Sequence, residues 1–553
     1  MDLIDLFARE FQTKQIKSTG AWFVLLLLVL NTSAWIAILS VLNELLRAKQ
    51  ASFSGLQFLS FVAAFLLFLI TNFLSKRKVV DLFEDLIFNI RYRLIQRMRK
   101  MELRSFEEVG SATFFNVMTM DLDYIADIAG VIWFLLSQAI LVSGILLYMA
   151  FLSPPVFAMI LGILILGFLA FLVVQYILIQ EVEVTRNKED SLFGLINGLL
   201  FGFKELKINR PKNEDFFQRG IKENILAVRD LRKKVGYVRG DAVILVQIIF
   251  SVMLLFLVFV LPSLNIVPPD VLFSLVAAAM LMPFVHLLND VNYISLANIS
   301  IDRISRFEER LRASSEDMPF PPQQQAGPQH ITELAYKDFR FDYTDEAGEV
   351  TFSVGPMDLR FACGEITFIV GGNGSGKSTL LKLLTGLYPA LTGTVTLDGE
   401  AVAPGAPGAP GAQREWFSCI FTDFHLFDRF YGLENIDEER VTELIRRMGL
   451  NHKVGYREGG FSTLDLSTGQ KKRLALIAAL LTDKPFYIFD EWAADQSPEF
   501  REYFYNILLP ELKARNKLII CVTHDDNYYH LADRIYKLEL GKLVSLARTE
   551  NDG

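Results

Sequence analysis

The stretch "IVGGNGSGKST", residues 369–379, ends an apolar run and opens the helical run "TLLKLLTGL". It fits the pattern G-x-x-x-x-G-K-[ST] through Gly371, Gly376, Lys377 and Ser378. Glycines let backbone N–H groups curl around phosphate oxygens, the lysine reaches the β- and γ-phosphates, and the hydroxyl that follows ligates magnesium. The stretch therefore predicts a nucleotide site between a strand and a helix. The predicted contacts are Gly371, Asn373, Gly374, Ser375, Gly376, Lys377, Ser378 and Thr379.

The chain around this loop alternates short apolar runs with helical ones. After residue 332, runs such as "EITFIV", "FYIFD" and "KLIICVTH" are separated by helical runs such as "KKRLALIAALL". This alternation predicts an α/β domain with a parallel sheet. The repeat "APGAPGAPGA", residues 403–412, cannot hold a helix or strand and predicts a surface loop within this domain.

Two further strand ends carry candidate catalytic side chains. "KPFYIFDE", residues 484–491, ends in Asp490 and Glu491. Asp490 is placed to hold the magnesium shell, and Glu491 to polarise a water that attacks the γ-phosphate. His524 follows the apolar run "IICV", and its neutral imidazole could contact the γ-phosphate. A single histidine at a strand end is usually structural, so its position alone does not assign that role.

The composition indicates a membrane protein of more than one domain. The 553 residues are 52% hydrophobic and 21% charged, and the mean hydropathy is +0.31. The net charge of -8 gives no indication of nucleic-acid binding. Six apolar segments occur before residue 300. Each is close in length to the about 20 residues that a helix needs to cross a bilayer. They are about 21–46, 55–75, 128–152, 155–180, 241–263 and 271–295.

Charge predicts the orientation of these spans. Residues 76–104 and 186–239 are rich in lysine and arginine, whereas the short connections after the third and fifth spans have neither. Basic loops stay in the cytoplasm, so the N-terminus and everything after residue 296 are expected inside. The first 20 residues are amphipathic, and we expect a helix on the membrane surface rather than a cleaved signal peptide. A soluble bundle of six buried helices does not fit the length and apolarity of the segments.

The long basic stretches look like cytosolic extensions of the spanning helices, with two interruptions. Residues 105–123 and 203–220 contain turn residues between helical pieces. Each fits either a docking surface for a cytosolic domain or a solvated helical turn. The pattern predicts a transmembrane domain over 1–311, a Pro- and Gln-rich linker over 312–332, and the α/β domain over 333–553.

Polar residues inside the spans are candidates for contact with cargo, because intramembrane polar groups are costly and often functional. Gln138, Gln175 and Gln247 lie within spans, and His286, Asn289 and Asp290 lie in the last one. His286 and Asp290 share a helix face. A polar cavity wall and interhelical hydrogen bonding both fit these residues.

The run "LSTGQKKRLAL", residues 466–476, differs by one small residue from the LSGGQ signature of the ATP-binding cassette (ABC) family. The chain resembles that family from residue 333 to its end, and the six-span block resembles the membrane domain of an ABC exporter. The resemblance implies ATP and Mg²⁺ as cofactors and a homodimer in which each ATP is held between two subunits. It also implies roles for individual residues. Ser467, Gly469 and Gln470 would bind the ATP of the opposite subunit, His524 would be the switch histidine, Asp495 would lie at the dimer interface, and Tyr343 would stack on adenine.

The chain also departs from the family pattern. The family's magnesium-contacting glutamine is replaced in "IFTDFHLFD" by Thr422, with Asp423 beside it, and either side chain could ligate the metal. The residues before Asp495 are Trp492, Ala493 and Ala494 in place of the usual serine, alanine and leucine. With these departures the chain is similar to the bacterial cyclic-peptide exporters, a subfamily that exports peptide siderophore precursors, lipopeptides and small antimicrobial peptides.

This resemblance implies ATP-driven export of a peptide by alternating access, with hydrolysis at Glu491 resetting the cycle. It places the protein in the bacterial cytoplasmic membrane as a multi-pass homodimer, and it leaves the need for a periplasmic partner open. A lipid or lipopeptide flippase of the same architecture is the first alternative. An ATP-gated regulator without vectorial transport is the second.

Overall fold

The computed structural model describes residues 18–47, 54–260, 284–314, 331–345, 347–402, 412–433 and 436–548. The chain divides into two compact units. The helical unit comprises Met1–Arg99 and Ser111–Ala313, and the sheet unit comprises Lys100–Gly110 and Ser314–Gly553. The predicted surface helix at residues 1–17, the linker at 315–330 and the loop at 403–411 lie outside the described residues.

The first part of the chain consists mainly of helices joined by short connections in its described residues. Its helices are α1 (Ser18–Arg47), α2 (Gly55–Met98), α3 (Leu103–Val109), α4 (Ser111–Asn116), α5 (Leu122–Leu152), α6 (Pro154–Phe201), α7 (Phe203–Ile208), α8 (Arg210–Asp215), α9 (Glu223–Leu255) and α10 (Phe284–Ala313). Single π-helical turns at Val117–Asp121, Phe216–Lys222 and Phe256–Val260 adjoin α5 and α9. Such single π turns occur within α-helices as bulges.

Five of the described helices are long and apolar enough to cross a membrane. These are Thr19–Leu42, Gly55–Met98, Thr113–Leu152, Pro154–Phe201 and Arg210–Val260. They overlap the first five predicted spans, and the first of them ends at Leu42 where the prediction extends to about residue 46. Much of the sixth, residues 271–283, lies outside the described residues, as do the side chains of Gln175, His286, Asn289 and Asp290.

The apolar surface of these helices supports a membrane location. Phe151 is 92% exposed and Leu147 is 72% exposed, both on α5. In contrast, Ile145 and Met149 of the same helix are fully buried against α6 and α9 residues such as Ile160. Large exposed apolar faces on helices with satisfied backbones are stable in lipid and unstable in water.

The interruptions predicted at 105–123 and 203–220 are present. Helix α3 ends at Gly110, whose φ of 79° requires a residue without a side chain. Helix α8 begins at Asn209, whose side chain accepts a hydrogen bond from the backbone N–H of Lys212 at 3.1 Å. Residues Lys100–Gly110, which include α3, cluster with the sheet unit. That part of the first interruption therefore contacts the α/β domain, whereas docking by 203–220 stays a prediction.

The sheet unit contains the predicted parallel sheet. Its strands are β1 (Glu333–Thr344), β2 (Val350–Ala362), β3 (Ile366–Gly371), β4 (Thr392–Leu397), β5 (Glu400–Ala401), β6 (Phe417–Ile420), β7 (Tyr456–Arg457), β8 (Gly460–Phe461), β9 (Phe486–Asp490), β10 (Leu518–Val522), β11 (Arg534–Glu539) and β12 (Lys542–Arg548). Its longer helices are α11 (Lys377–Leu384), α12 (Glu438–Arg447) and α13 (Thr468–Thr482), followed by α14 (Pro498–Tyr503) and α15 (Leu509–Ala514).

The order of strands in the main sheet decides where the functional residues lie. The order is β12-β11-β3-β10-β9-β6, parallel except for the edge strand β12. A second, antiparallel sheet has the order β2-β1-β4-β5. In register, Val522 pairs with Ile369 on one side and with Asp490 on the other. The segments after β3, β9 and β10 therefore leave the sheet on the same side, at the carboxyl ends of the strands, where α/β folds bind ligands.

Candidate nucleotide-binding site

The loop between β3 and α11 has the backbone that its glycines allow. Gly371 has a φ of 157°, and a side chain there would collide with the carbonyl oxygen of Leu538. Gly376 has a φ of 101° and precedes the first turn of α11. A Cβ at Gly376 would lie 3.1 Å from Cγ2 of Val354. The loop can therefore curl tightly only with glycine at these positions.

Polar groups inside this loop are arranged as a phosphate cradle. The ammonium group of Lys377 donates to the carbonyl oxygens of Gly371 at 2.9 Å and Gly372 at 3.0 Å. The hydroxyl oxygen of Ser375 is buried and has no hydrogen-bond partner among the described residues. Because an unpaired buried hydroxyl is costly, the glycine loop, Lys377 and this hydroxyl fit the phosphates of a nucleotide.

Asp490 and Glu491 follow β9, as the sequence predicts, but their environments differ. Asp490 is 2% exposed, and burial, followed by the charge of Glu491, raises the pKa of its carboxyl group. Glu491 adopts a left-handed conformation with a φ of 48°. Its backbone N–H donates to the carbonyl oxygen of Val522 at 3.1 Å. This turn directs the Glu491 side chain away from the buried position that Asp490 occupies.

The structure brings His524 next to Glu491. Nε2 of His524 lies 3.3 Å from Oε1 of Glu491, and the two side chains are 48% and 34% exposed. The parallel pairing of β9 and β10 causes this proximity, because both residues follow neighbouring strand ends. The pair is therefore accessible to water and to a ligand held by the glycine loop.

Of the two residues at the replaced glutamine position, Thr422 contacts the buried acid. Its hydroxyl donates to Oδ2 of Asp490 at 3.4 Å, and Asp423 is exposed. Strand β6 pairs with β9, which places the residues after Ile420 beside Asp490.

The hydroxyls of Ser378 and Thr422 and the Asp490 carboxylate are hard oxygen donors, the type that Mg²⁺ prefers. The described residues contain no group of three or more His, Cys, Asp or Glu that could hold a metal. Magnesium at a nucleotide needs only one or two carboxylates, so this donor set fits it.

Tyr343 lies at the end of β1, close to the glycine loop's helix. Its hydroxyl is 3.1 Å from Oγ1 of Thr379 in α11. Its ring contacts Phe341 edge-on, with centroids 5.1 Å apart, and Tyr388 at 6.4 Å. The half-buried ring is thus held by an aromatic cluster beside the predicted phosphate site.

The predicted signature segment begins helix α13. Ser467 caps it, and Ser467 and Gln470 form a reciprocal capping box. Gly469 fits against Asp495, because a side chain at Gly469 would collide with the Asp495 carbonyl oxygen. The amide of Gln496 donates to the Gly469 carbonyl at 3.1 Å. The N–H groups of the first turn of α13 lack intrahelical acceptors, as at any helix N-terminus, and can bind an anion.

Lys472 is a residue that the sequence reasoning missed. It is 2% exposed, and its ammonium group donates to the carbonyl oxygen of Glu491 and to Oδ2 of Asp495, both at 2.8 Å. The indole of Trp492 donates to the Lys472 carbonyl oxygen at 3.0 Å. A signal was present, because Lys472 shares a helix face with the buried residue Leu476, four positions later.

Glu107 on α3 is the second missed residue. One carboxylate oxygen lies 2.7 Å from the ammonium group of Lys382 in α11, and the other accepts a hydrogen bond from the hydroxyl of Tyr388. Burial, and then the hydrogen bond to Glu107, raise the pKa of Tyr388 above its usual range, so the phenol stays a donor. No pattern within either segment could reveal this pairing, because the residues are far apart in sequence.

Comparison with known proteins matches these features. The family pattern described as ABC transporter matches residues 354–494. The chain is 32% identical over 482 residues to ATP-binding protein SyrD of Pseudomonas syringae pv. syringae, covering 84% of this chain and 83% of that protein. It is 31% identical over 199 residues to lipoprotein-releasing system ATP-binding protein LolD of Protochlamydia amoebophila (strain UWE25), covering 34% of this chain and 86% of that protein.

A solved structure matches the architecture of the whole chain. The structure of a bacterial Atm1-family ABC exporter with ATP bound aligns with a TM-score of 0.72, covering 96% of this chain and 95% of that one. Sequence identity in this alignment is 16%. The likeness shows the fold: a helical membrane region followed by an α/β nucleotide-binding domain.

Proposed function

Because this chain belongs to the ABC transporter family, whose ATPase activity is coupled to transport, we propose that it exports a peptide across the bacterial cytoplasmic membrane. One observation carries the proposal. A single chain combines five long apolar helices with a glycine loop, a buried Asp490 and a paired Glu491 and His524. A protein that only senses ATP needs no residue pair set to activate water.

The peptide class rests on sequence. Thr422 with Asp423, and Trp492-Ala493-Ala494 before Asp495, resemble the bacterial cyclic-peptide exporters. The similarity to SyrD spans 482 residues and therefore reaches well into the helical unit, where cargo would bind. The basic stretches at 76–104 and 186–239 favour a cytosolic location for the ATPase.

We assign the hydrolytic step to Glu491. Its carboxylate orients and polarises the attacking water, and His524, 3.3 Å away, holds that carboxylate and contacts the γ-phosphate. Lys377 and the N–H groups of the glycine loop bind the phosphates, and Tyr343 stacks on adenine. Ser378, Thr422 and Asp490 would hold Mg²⁺, which neutralises phosphate charge when bound.

The assembly that fits these residues is a homodimer. Ser467, Gly469 and Gln470 present a helix N-terminus that would bind the γ-phosphate held by the other subunit. Each chain carries both halves of an ATP site, so a two-fold dimer completes two equivalent sites. Two ATP molecules can then favour a closed state, provided that they bind it more tightly than the open state.

Transport into inside-out proteoliposomes tests the proposal. A panel of labelled cyclic peptides is expected to contain at least one that accumulates with ATP and stimulates hydrolysis. Glu491→Gln is expected to bind ATP and to hydrolyse it at least about 100-fold more slowly, because general-base catalysis contributes factors of this size. Glu502→Gln, on the exposed surface of α14, is the matched control.

Three results would contradict the proposal in different ways. Near wild-type turnover in Glu491→Gln would refute the catalytic assignment. ATP-dependent movement of a labelled lipid without peptide uptake would indicate a flippase. Hydrolysis that no peptide stimulates, with no vectorial uptake, would indicate an ATP-gated regulator.

A further inference from the structure

The helical unit contains a cavity of about 260 Å³ among helices α1, α2 and α5. Its lining combines aromatic rings with uncharged polar side chains and includes no ionisable residue. The lining residues that matter here are Trp35, Phe68 and Trp133 among the aromatics, and Asn31, Ser75 and Gln138 among the polar residues. All lie within helices that are long and apolar enough to cross a membrane.

Hydrogen bonds between the helices hold two walls of this cavity. The indole N–H of Trp133 on α5 donates to the hydroxyl oxygen of Ser75 on α2 at 3.0 Å, and Ser75 is fully buried. The amide of Asn31 on α1 donates to the Phe68 carbonyl oxygen and to the Thr71 hydroxyl oxygen, both at 3.1 Å. The shape of the cavity is therefore fixed by polar contacts as well as by packing.

Gln138 supplies a buried hydrogen-bond acceptor without a partner. Its Oε1 is buried and accepts no hydrogen bond from the part of the chain that the structure describes. A buried amide oxygen in this state destabilises the protein, and lipid offers no compensating donor. A ligand that brings an N–H or O–H group into the cavity would remove this cost.

We propose that this cavity binds one uncharged residue of the transported peptide, by aromatic contact with Trp35 and Trp133 and by hydrogen bonding to Oε1 of Gln138. The inference rests on the proposed peptide export. The absence of ionisable side chains in the lining selects against charged groups, because a charge in the cavity would lose its hydration. The ammonium group of Lys76 lies 5.8 Å from the centroid of the Trp133 ring and is not part of the lining. An aromatic or amide-bearing residue of a peptide matches both parts of the lining.

Tryptophan fluorescence tests the cavity independently of transport. The experiment uses the purified full-length protein in nanodiscs with the substitution Trp22→Phe. Trp22 is 71% exposed, so probe dissolved in the lipid would quench its fluorescence. The probe is 4-bromobenzamide, an uncharged aromatic amide whose bromine quenches indole fluorescence. Methyl 4-bromobenzoate, which lacks N–H groups, is the matched control probe.

We expect saturable quenching by the amide, with an apparent Kd that rises about three- to tenfold in Gln138→Leu and in Gln138→Met, as for the loss of one hydrogen bond. The methionine variant preserves side-chain length and guards against a packing defect. Gln180→Leu makes the same substitution at an exposed position on α6, outside the cavity lining, and should leave the Kd unchanged. Equal Kd values in all variants, or equal saturable quenching by amide and ester, would overturn the site.

A competition experiment tests the link to cargo. A cyclic peptide that the wild-type protein transports should displace 4-bromobenzamide, and its transport KM should rise in Gln138→Leu but not in Gln180→Leu. A transported peptide that does not displace the probe would overturn the assignment to cargo. Gln138-dependent quenching in a protein that transports no peptide would refute peptide export and leave the cavity established as an amide site.

Discussion

The ammonium group of Lys472 lies 2.8 Å from a carboxylate oxygen of Asp495, inside a single subunit. The same ammonium group donates to the backbone carbonyl of Glu491 at 2.8 Å. Lys472 therefore joins the helix that carries the signature segment to the turn that carries the proposed catalytic acid. The family resemblance implies that Asp495 lies at a dimer interface. Lys472 of the same subunit holds the Asp495 carboxylate in position.

Lys472→Met is expected to lower kcat for ATP hydrolysis by about tenfold or more and to change the KM for ATP by less than about twofold. Glu491 has a left-handed backbone, which is strained for a residue with a side chain and must be held by its surroundings. Some loss of stability is also expected, because the Glu491 carbonyl oxygen loses this donor, whereas the Asp495 carboxylate is 47% exposed and stays hydrated without its partner. Steady-state ATPase assays and thermal unfolding measure both effects.

Lys471→Met, one position earlier in the same helix, is the control for that experiment. It should leave both kinetic constants within about twofold of wild type. An unaltered kcat in Lys472→Met would show that Glu491 does not depend on this contact.

Much of the nucleotide site follows from the sequence for a simple reason. Gly371, Asp490 and Val522 each end an apolar run. Neighbouring parallel strands bring their carboxyl ends together on one side of a sheet. The 3.3 Å approach of His524 to Glu491 is a consequence of that arrangement. The local sequence pattern was sufficient to predict these residues because they lie at the ends of strands.

The remaining contacts depend on packing that the local pattern indicates weakly or not at all. Lys472 lies in the basic run "QKKR", which looks like a solvated surface until the helix face is known. Thr422 and Asp423 are adjacent, and only the pairing of β6 with β9 shows that Thr422 contacts Asp490. Glu107 meets Lys382 across 275 residues of sequence.

The raised pKa of Asp490 predicts that its ionised carboxylate lowers the stability of the fold, although ATPase activity needs that carboxylate. Burial and the Glu491 charge raise this pKa in the folded protein above the ordinary 3.8 of an unfolded chain. The folded state therefore binds this proton more tightly than the unfolded state, and the ionised carboxylate destabilises the fold at every pH above the raised pKa. Asp490→Asn should raise the apparent Tm at pH 7 by about 2–4 °C in nucleotide-free protein with EDTA, while abolishing ATPase activity.

The stability gain in Asp490→Asn should shrink as the pH falls through the raised pKa toward 3.8. Thermal unfolding monitored between pH 4 and pH 8 measures this dependence. Asp526→Asn, on an exposed side chain, is the control. A lower Tm in Asp490→Asn at pH 7, or a gain that grows toward acid, would contradict the burial argument.

Thr422→Ala should lower the amount of peptide transported per ATP more than it lowers ATP affinity. The Thr422 hydroxyl donates to Asp490 at 3.4 Å, a long hydrogen bond whose loss leaves the phosphate contacts of the glycine loop intact. ATP affinity should change by less than about threefold. Parallel measurements of uptake and hydrolysis in proteoliposomes give the ratio.

Thr422→Ser keeps the hydroxyl and should retain coupling, whereas Asp423→Asn should have little effect because Thr422, rather than Asp423, donates the hydrogen bond to Asp490. Unchanged transport per ATP in Thr422→Ala would refute a coupling role. A larger loss in Asp423→Asn than in Thr422→Ala would move the magnesium assignment to Asp423.

Glu107→Gln is expected to reduce the stimulation of ATPase activity by transported peptide and to leave basal activity within about twofold. Glu107 contacts Lys382 at 2.7 Å and accepts the hydrogen bond of Tyr388, whose ring adjoins that of Tyr343. Helix α3 follows the spanning helix α2 directly in sequence, so a displacement of α2 would reach the adenine side of the site through these contacts. A partly exposed ion pair contributes about 0.2–1 kcal/mol, so the stimulation ratio should fall by up to about fivefold.

Glu108→Gln alters the neighbouring carboxylate, which pairs with Arg104 in the same helix at 2.9 Å, and should preserve stimulation. Lys382→Met should reproduce the loss seen in Glu107→Gln, and the double variant should lose no more than either single one, because the two residues act through one contact. Additive losses would mean that Glu107 and Lys382 act separately. Full stimulation in Glu107→Gln would exclude the α3 contact as the path by which peptide binding reaches the ATPase.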